Sequence, residues 1–310
     1  MHLSLQELLN LTEEKLKEAK LSVRLFGLDY DGTISDGVDY KQPQVFSLVK
    51  KILTKNKSVV FVTARAATAL KILVPHFQRL LSKVNNPVFG FIAGGNGISL
   101  YQVKKDGLIQ IYNHGFKLSQ ILYVVEAGKK VYEKLRIGNV DLAEKGLKTF
   151  RKFLQEDWEG CISSEIVDIC RPYKGEFFTE ESKVTFVLPK DKSLHGKIIA
   201  ELNNELGKEY CAVAGDDTYI HITKRLVEDS KIVAIKTILE FLSLGPNQVA
   251  TFGDMPIDND LGLLSFPYSF TNSEEFVNIK RDPYQPPFIL LYPGLTPIVR
   301  VYKAIDYLVS

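Results

Sequence analysis

The chain has 310 residues, 45% apolar, 25% charged and 11% aromatic, with a formal net charge of +2. This composition excludes a disordered or collagen-like chain, and the small charge excludes a general electrostatic field for nucleic acid or an anionic membrane. Three cysteines (Cys161, Cys170 and Cys211) fit neither a disulfide framework nor zinc spacing, no signal peptide is visible, and no apolar run approaches a membrane span, so a cytoplasmic protein is expected.

Residues 3–20 place Leu5, Leu8, Leu9, Leu16 and Ala19 mostly on one helical face, predicting an amphipathic helix that docks on the core or on another subunit. "VRLFGL" (23–28) and "SVVFVT" (58–63) read as strands buried on both faces, separated by a helix over 46–56. A helix over 66–83 with a kink or break at Pro75 follows, then "PVFGFIAGGNGISLYQ" (87–102) as strand, glycine turn and strand. From residue 103 the rhythm changes. "LIQIYNHG", "SKVTFVLP", "EYCAVAG" and "TYIHIT" are strand-like between helical stretches 117–135, 141–156 and 193–206, which predicts an α+β insert with an antiparallel sheet. After residue 230 come a helix (231–243), the strand "QVATFGD", the strand "PYSFT" and a last helix, "TPIVRVYKAIDYLV". The expectation is an α/β fold with a doubly wound, Rossmann-like parallel sheet. Its core would span 22–102 and 226–310, interrupted by an insert at 103–225 and preceded by the helix of residues 1–21.

Such sheets bind ligands at the carboxyl ends of their strands. The first strand leaves Asp29, Asp31 and Thr33 there, the second Thr63, and the "QVATFGDMPIDND" strand Asp254, Asp258 and Asp260. Carboxylates gathered at one sheet edge need a cation, and hard oxygen ligands favour Mg²⁺. Thr63 would complete a phosphate site with Lys231, which opens a helix behind the capping candidates Asp229 and Ser230; Lys236 is the alternative lysine.

"DYDGT", Thr63 in "FVTAR", Lys231 in "DSKIVAIKTIL" and "GDMPID" resemble, in order, the four motifs of the haloacid dehalogenase superfamily. "FIAGGNGISLY" and the run from residue 230 to "SFTNS" look like the Cof-type phosphatases and their sugar-phosphatase relatives, in which a C2-type α+β cap lies between the second and third motifs. "LDYDGT" is also similar to trehalose-phosphate phosphatases. The resemblance covers residues 22–308 and implies a Mg²⁺-dependent phosphatase acting on a small phosphorylated metabolite, a sugar phosphate. Asp29 would be the nucleophile, forming an aspartyl-phosphate. Asp31 would protonate the leaving group and then activate water, with its backbone carbonyl toward the metal. Thr63 and Lys231 would hold the phosphoryl oxygens, and Asp254 and Asp258 would complete the metal site, register favouring Asp258 over Asp260. A phosphomutase of the same fold and a non-catalytic binding or regulatory protein are the alternatives.

Two other features have plainer explanations. "VAGDDTYIHIT" (213–223) mimics the last motif but lies between strand-like runs, as a hairpin turn would. The five histidines show no metal spacing, although His221, alternating with Tyr219 and Thr223, could line a substrate surface of the insert.

Overall fold

A computed structural model describes residues 4–36, 43–64, 74–84, 88–137, 177–179, 182–215, 218–225, 229–256, 260–278, 282 and 284–310. The expected helix over 141–156 lies outside these residues. Strands are numbered β1 to β12 and described helices α1 to α7 in chain order.

The chain divides into two units, one formed by residues 1–113 and 228–310 and the other by 114–227. The first holds an eight-stranded sheet in the order β12-β11-β10-β1-β2-β3-β4-β5. β1 (Leu25–Asp29), β2 (Ser58–Val62), β3 (Gly90–Gly94) and β10 (Val249–Gly253) are buried at every position, as continuous apolar runs covered on both faces require. These strands run parallel with β11 (Tyr268–Thr271) and the two-residue β12 (Phe288–Ile289). With helices on both faces, the fold is α/β, as expected.

The pleat sorts the side chains. Phe26, Leu28, Val59, Phe61 and Phe252 pack with residues of α1 (Leu5–Ser22), α2 (Pro43–Thr54), α3 (Val74–Leu81) and α7 (Pro297–Val309). Leu25, Val60, Val62 and Phe91 pack with Ala234, Ile235 and Ile238 of α6 (Ser230–Phe241). Strand alternation puts Gly27 and Asp29 on the α6 face with Leu25, and a methyl group on Gly27 would lie 3.0 Å from Ile235. Asp29 therefore faces the helix that carries Lys231. Pro75 falls in the first turn of α3.

Of the two alternatives for the N-terminal helix, docking on its own core is realised. Ser4 caps α1 in a capping box with Glu7, and Leu11, Thr12, Leu16 and Ala19 are buried. α1 lies against α7 and β12, and the Thr12 hydroxyl donates to the Ile289 carbonyl at 3.0 Å. Edge strand β12 is thereby covered.

The insert boundary differs from the expected 103–225. β4 (Ser99–Lys104) and β5 (Gly107–Asn113) continue the first sheet antiparallel from β3, so "LIQIYN" belongs to this sheet and the units part at 113/114. The second unit has an antiparallel sheet, β6-β7-β9-β8, made of Phe177–Thr179, Val184–Val187, Tyr219–Lys224 and Tyr210–Ala214. Helices α4 (Leu118–Lys134) and α5 (His195–Leu206) cover one face through Val124, Val131, Phe186, Ile198, Leu202, Ile220 and Ile222. β8 and β9 pair as the hairpin expected around "AGDDT". His221 sits on the other face, its Nδ1 2.9 Å from the Thr185 hydroxyl.

Candidate active site

β1 lies between β10 and β2, where the chain order reverses, and a crevice forms at the carboxyl ends of strands at such a point. Asp29 ends β1 and Asp254 follows β10 directly. Asp29 is in register with Val62, which puts Thr63, fully buried, one residue beyond β2.

After Asp29 the chain closes a tight turn. The Gly32 N–H donates to the Ser35 carbonyl at 2.8 Å, and the Ile34 and Ser35 N–H groups donate to that of Tyr30 at 3.3 and 3.0 Å. Asp31, within this turn, is partly exposed. Gly32 has φ +77°, and any Cβ there would collide with the Asp254 carboxylate. Glycine is thus required twice over, for the left-handed backbone and for close approach. The Thr33 hydroxyl lies 3.3 Å from Asp29 Oδ2 and 3.4 Å from Asp254 Oδ1, joining the two strand ends.

Lys231 is the second residue of α6. Asp229 caps this helix, accepting from the Lys231 and Ile232 N–H groups at 2.8 and 3.3 Å. Gly262 packs so closely on Asp229 that a Cβ would strike its carboxylate. The Ser230 hydroxyl donates to the Asn96 carbonyl at 2.6 Å, and the Asn96 N–H donates to the Thr63 carbonyl at 2.6 Å. Gly97, at φ +92°, has no room for a side chain against the Ser230 carbonyl, and its own carbonyl accepts from the Tyr112 hydroxyl at 2.9 Å. The glycine turn between β3 and β4 thus ties Thr63 to the start of α6.

The Lys231 side chain is 1% exposed, its Nζ 3.2 Å from Asp29 Oδ1 and 2.5 Å from Asp260 Oδ1. Asp29, Asp254 and Asp260 each bring a carboxylate oxygen to within 4.8 Å of the others. Burial pushes Asp29 well above the usual carboxylate range, the Asp260 and Asp254 charges adding to the rise and Lys231 opposing it. Burial and the neighbouring Asp260 push Asp254 up to about 6. Burial pulls on Lys231 in the neutral direction, but Asp29 and Asp260 outweigh it, so its pKa is raised and the ammonium is kept.

Asp260 is the residue that sequence reasoning left without its role. Completely buried, it gives one oxygen to Lys231 and accepts on the other from the N–H groups of Asp254 and Met255 at 2.9 and 3.0 Å. With both oxygens engaged, it acts as counterion and loop anchor more readily than as a cation ligand. Its only sequence signal is a carboxylate six residues beyond Asp254. Asp258 lies outside the described residues, and the Asp31 carboxylate is not one of the clustered three. The remaining hard oxygen donors, Asp29 and Asp254, suit a hard divalent cation, whose charge would offset the burial and the like-charge repulsion that raise both pKa values.

A family model for haloacid dehalogenase-like hydrolases matches residues 26–269. No curated protein sequence matches. Among solved structures, a HAD/COF-like hydrolase of Plasmodium vivax is 20% identical with a TM-score of 0.61, over 96% of this chain and 98% of that one. A phosphatase of the haloalkanoate enzyme superfamily from Bacteroides thetaiotaomicron is 14% identical with a TM-score of 0.56, over 93% and 95%. The N-terminally truncated, IMP-bound IMP-nucleotidase of Plasmodium falciparum is 13% identical with a TM-score of 0.50, over 95% and 70%. At these identities the likeness is one of fold.

Proposed function

The chain belongs to the haloacid dehalogenase-like hydrolases, and we propose that it is a phosphatase that hydrolyses a small phosphorylated metabolite, a sugar phosphate, in a Mg²⁺-dependent reaction through an aspartyl-phosphate. The observation that carries this reading is the buried cluster at the sheet's carboxyl edge, where Asp29, Asp254, Asp260 and Lys231 converge.

In this proposal Asp29 attacks phosphorus as the ester P–O bond breaks, and Asp31 gives its proton to the departing alkoxide. Asp31 then takes a proton from water, whose oxygen attacks phosphorus, and inorganic phosphate leaves as Asp29 is regenerated. Lys231 and Thr63 face the equatorial phosphoryl oxygens, where negative charge resides in a loose transition state. Asp29, Asp254, the Asp31 carbonyl and Asp258 would hold Mg²⁺. When bound, the ion neutralises the like charges of nucleophile and phosphate so that they can approach. The second unit serves as a C2-type cap that reads the leaving group and excludes water.

The test is release of inorganic phosphate from p-nitrophenyl phosphate and then from a panel of sugar phosphates and nucleoside monophosphates, with and without Mg²⁺. Turnover that needs Mg²⁺ and falls by at least about a thousandfold in a folded Asp29→Asn variant is expected. Conversion to an isomeric phosphate without phosphate release would instead indicate a mutase. A folded wild-type protein that hydrolyses no ester would overturn the proposal.

A further inference from the structure

Asn272 has no part in the chemistry above, yet it reaches into the turn that follows the nucleophile. Gly253 pairs with Thr271, so Asn272 leaves β11 beside Asp254. Its side chain is 2% exposed, and its Nδ2 donates to the Gly32 carbonyl at 3.2 Å. Its Oδ1 meets no donor among the described residues. What this amide supplies is its N–H.

Gly32 joins two planar peptide units. The Asp31–Gly32 unit is held by the Gly32 N–H donating to the Ser35 carbonyl, and the Gly32–Thr33 unit by Asn272. Glycine has no side chain to restrict its torsions, so the direction of the second unit depends on an outside anchor. That direction sets where Thr33 begins, and the Thr33 hydroxyl is the link between Asp29 and Asp254. We propose that Asn272 is a positioning residue: its amide fixes the peptide after Gly32 and so holds Thr33, the link between Asp29 and Asp254, in its working orientation. The role at turnover rests on the phosphatase reading; the anchoring itself does not.

Asn272→Leu and Asn272→Ala separate anchoring from packing. Leucine fills the space but offers no N–H and excludes water, whereas alanine leaves a gap through which water can reach the Gly32 carbonyl. At saturating Mg²⁺, kcat for the aryl phosphate should fall at least about tenfold in Asn272→Leu, with KM within about threefold, and less in Asn272→Ala. A packing role gives the reverse order. Hydrogen exchange in the peptide covering residues 30–35 of the metal-free protein should quicken in Asn272→Leu. Unchanged exchange, or a higher kcat in Asn272→Leu than in Asn272→Ala, overturns the proposal. If the wild type turns over no ester, the phosphatase reading falls, and the exchange measurement alone decides the role of Asn272.

Discussion

Asp260→Asn removes one negative charge from the interior while hardly changing its volume. The wild-type carboxylate has two duties, pairing with Lys231 at 2.5 Å and accepting from the N–H groups of Asp254 and Met255. An amide can do only one of these well, because keeping its oxygen on the two N–H groups turns its own NH₂ toward the ammonium. Breaking a buried pair costs roughly 3–5 kcal/mol, and Lys231 keeps Asp29 at 3.2 Å, so the lower end, about 3 kcal/mol, is expected. For a chain of this size that lowers Tm by about 5 °C. Circular dichroism melts in EDTA measure the shift, and urea unfolding gives the free energies. The same measurements on Lys231→Met and on the double variant close a cycle. Losing Lys231 should cost at least about 1 kcal/mol less once Asp260 is an amide, because one fewer carboxylate is stranded. A Tm within 1 °C of wild type, or additivity within about 0.5 kcal/mol, would refute the assignment of Asp260 as the counterion.

Other consequences can be measured directly. Asp254 is pushed up to about 6, so the folded chain keeps a proton that the unfolded chain releases near its ordinary value of 3.8. Between those values the metal-free protein should lose stability as pH rises, with the cost complete above 6, and the Tm gain from Mg²⁺ should shrink as pH falls below 6. A Mg²⁺ effect on Tm independent of pH from 5 to 8 would count against this. Gly32→Ala forces a Cβ into the Asp254 carboxylate, so Mg²⁺ affinity measured by calorimetry should drop at least tenfold; unaltered affinity would mean that Asp254 is not a ligand. Leu16→Ala empties a buried site under α1 and should cost about 2–5 kcal/mol in urea unfolding, where a helix serving only as a subunit contact would cost the monomer nothing.

The placement of Asp29 and Asp254 was legible because their signal is local: a β-rich apolar run stops at Asp, and after Asp29 a turn with Gly and Thr follows. Lys231 was legible through its helix start, where Asp229 announces the cap. Asp260 was not, because a residue in an irregular loop has no periodicity to reveal where its side chain turns. The misplaced insert boundary has a related cause. Alternation in "LIQIYN" shows that a strand has two faces but not which neighbour it pairs with, and extending the β3–β4 hairpin looks the same as opening a new sheet. Asn272 stood in "SFTNS" as part of a resemblance, and only the fold brings it to Gly32, 240 residues earlier.

The chain returns from the second unit at residue 227, only a few residues before Lys231. Across that short stretch, Asp229 is pressed by Gly262, Ser230 is bonded to Asn96, and Gly97 abuts the Ser230 carbonyl, all within the first unit. The lysine's helix is therefore moored to the first unit at its first turn. Insertions, deletions or wholesale exchange in residues 114–227 can accumulate without dragging Lys231 from its carboxylates. Under the cap role proposed above, such a joint lets a lineage change what is recognised while the reaction stays the same, and it marks 113/114 and 227/228 as the seams for building chimaeras.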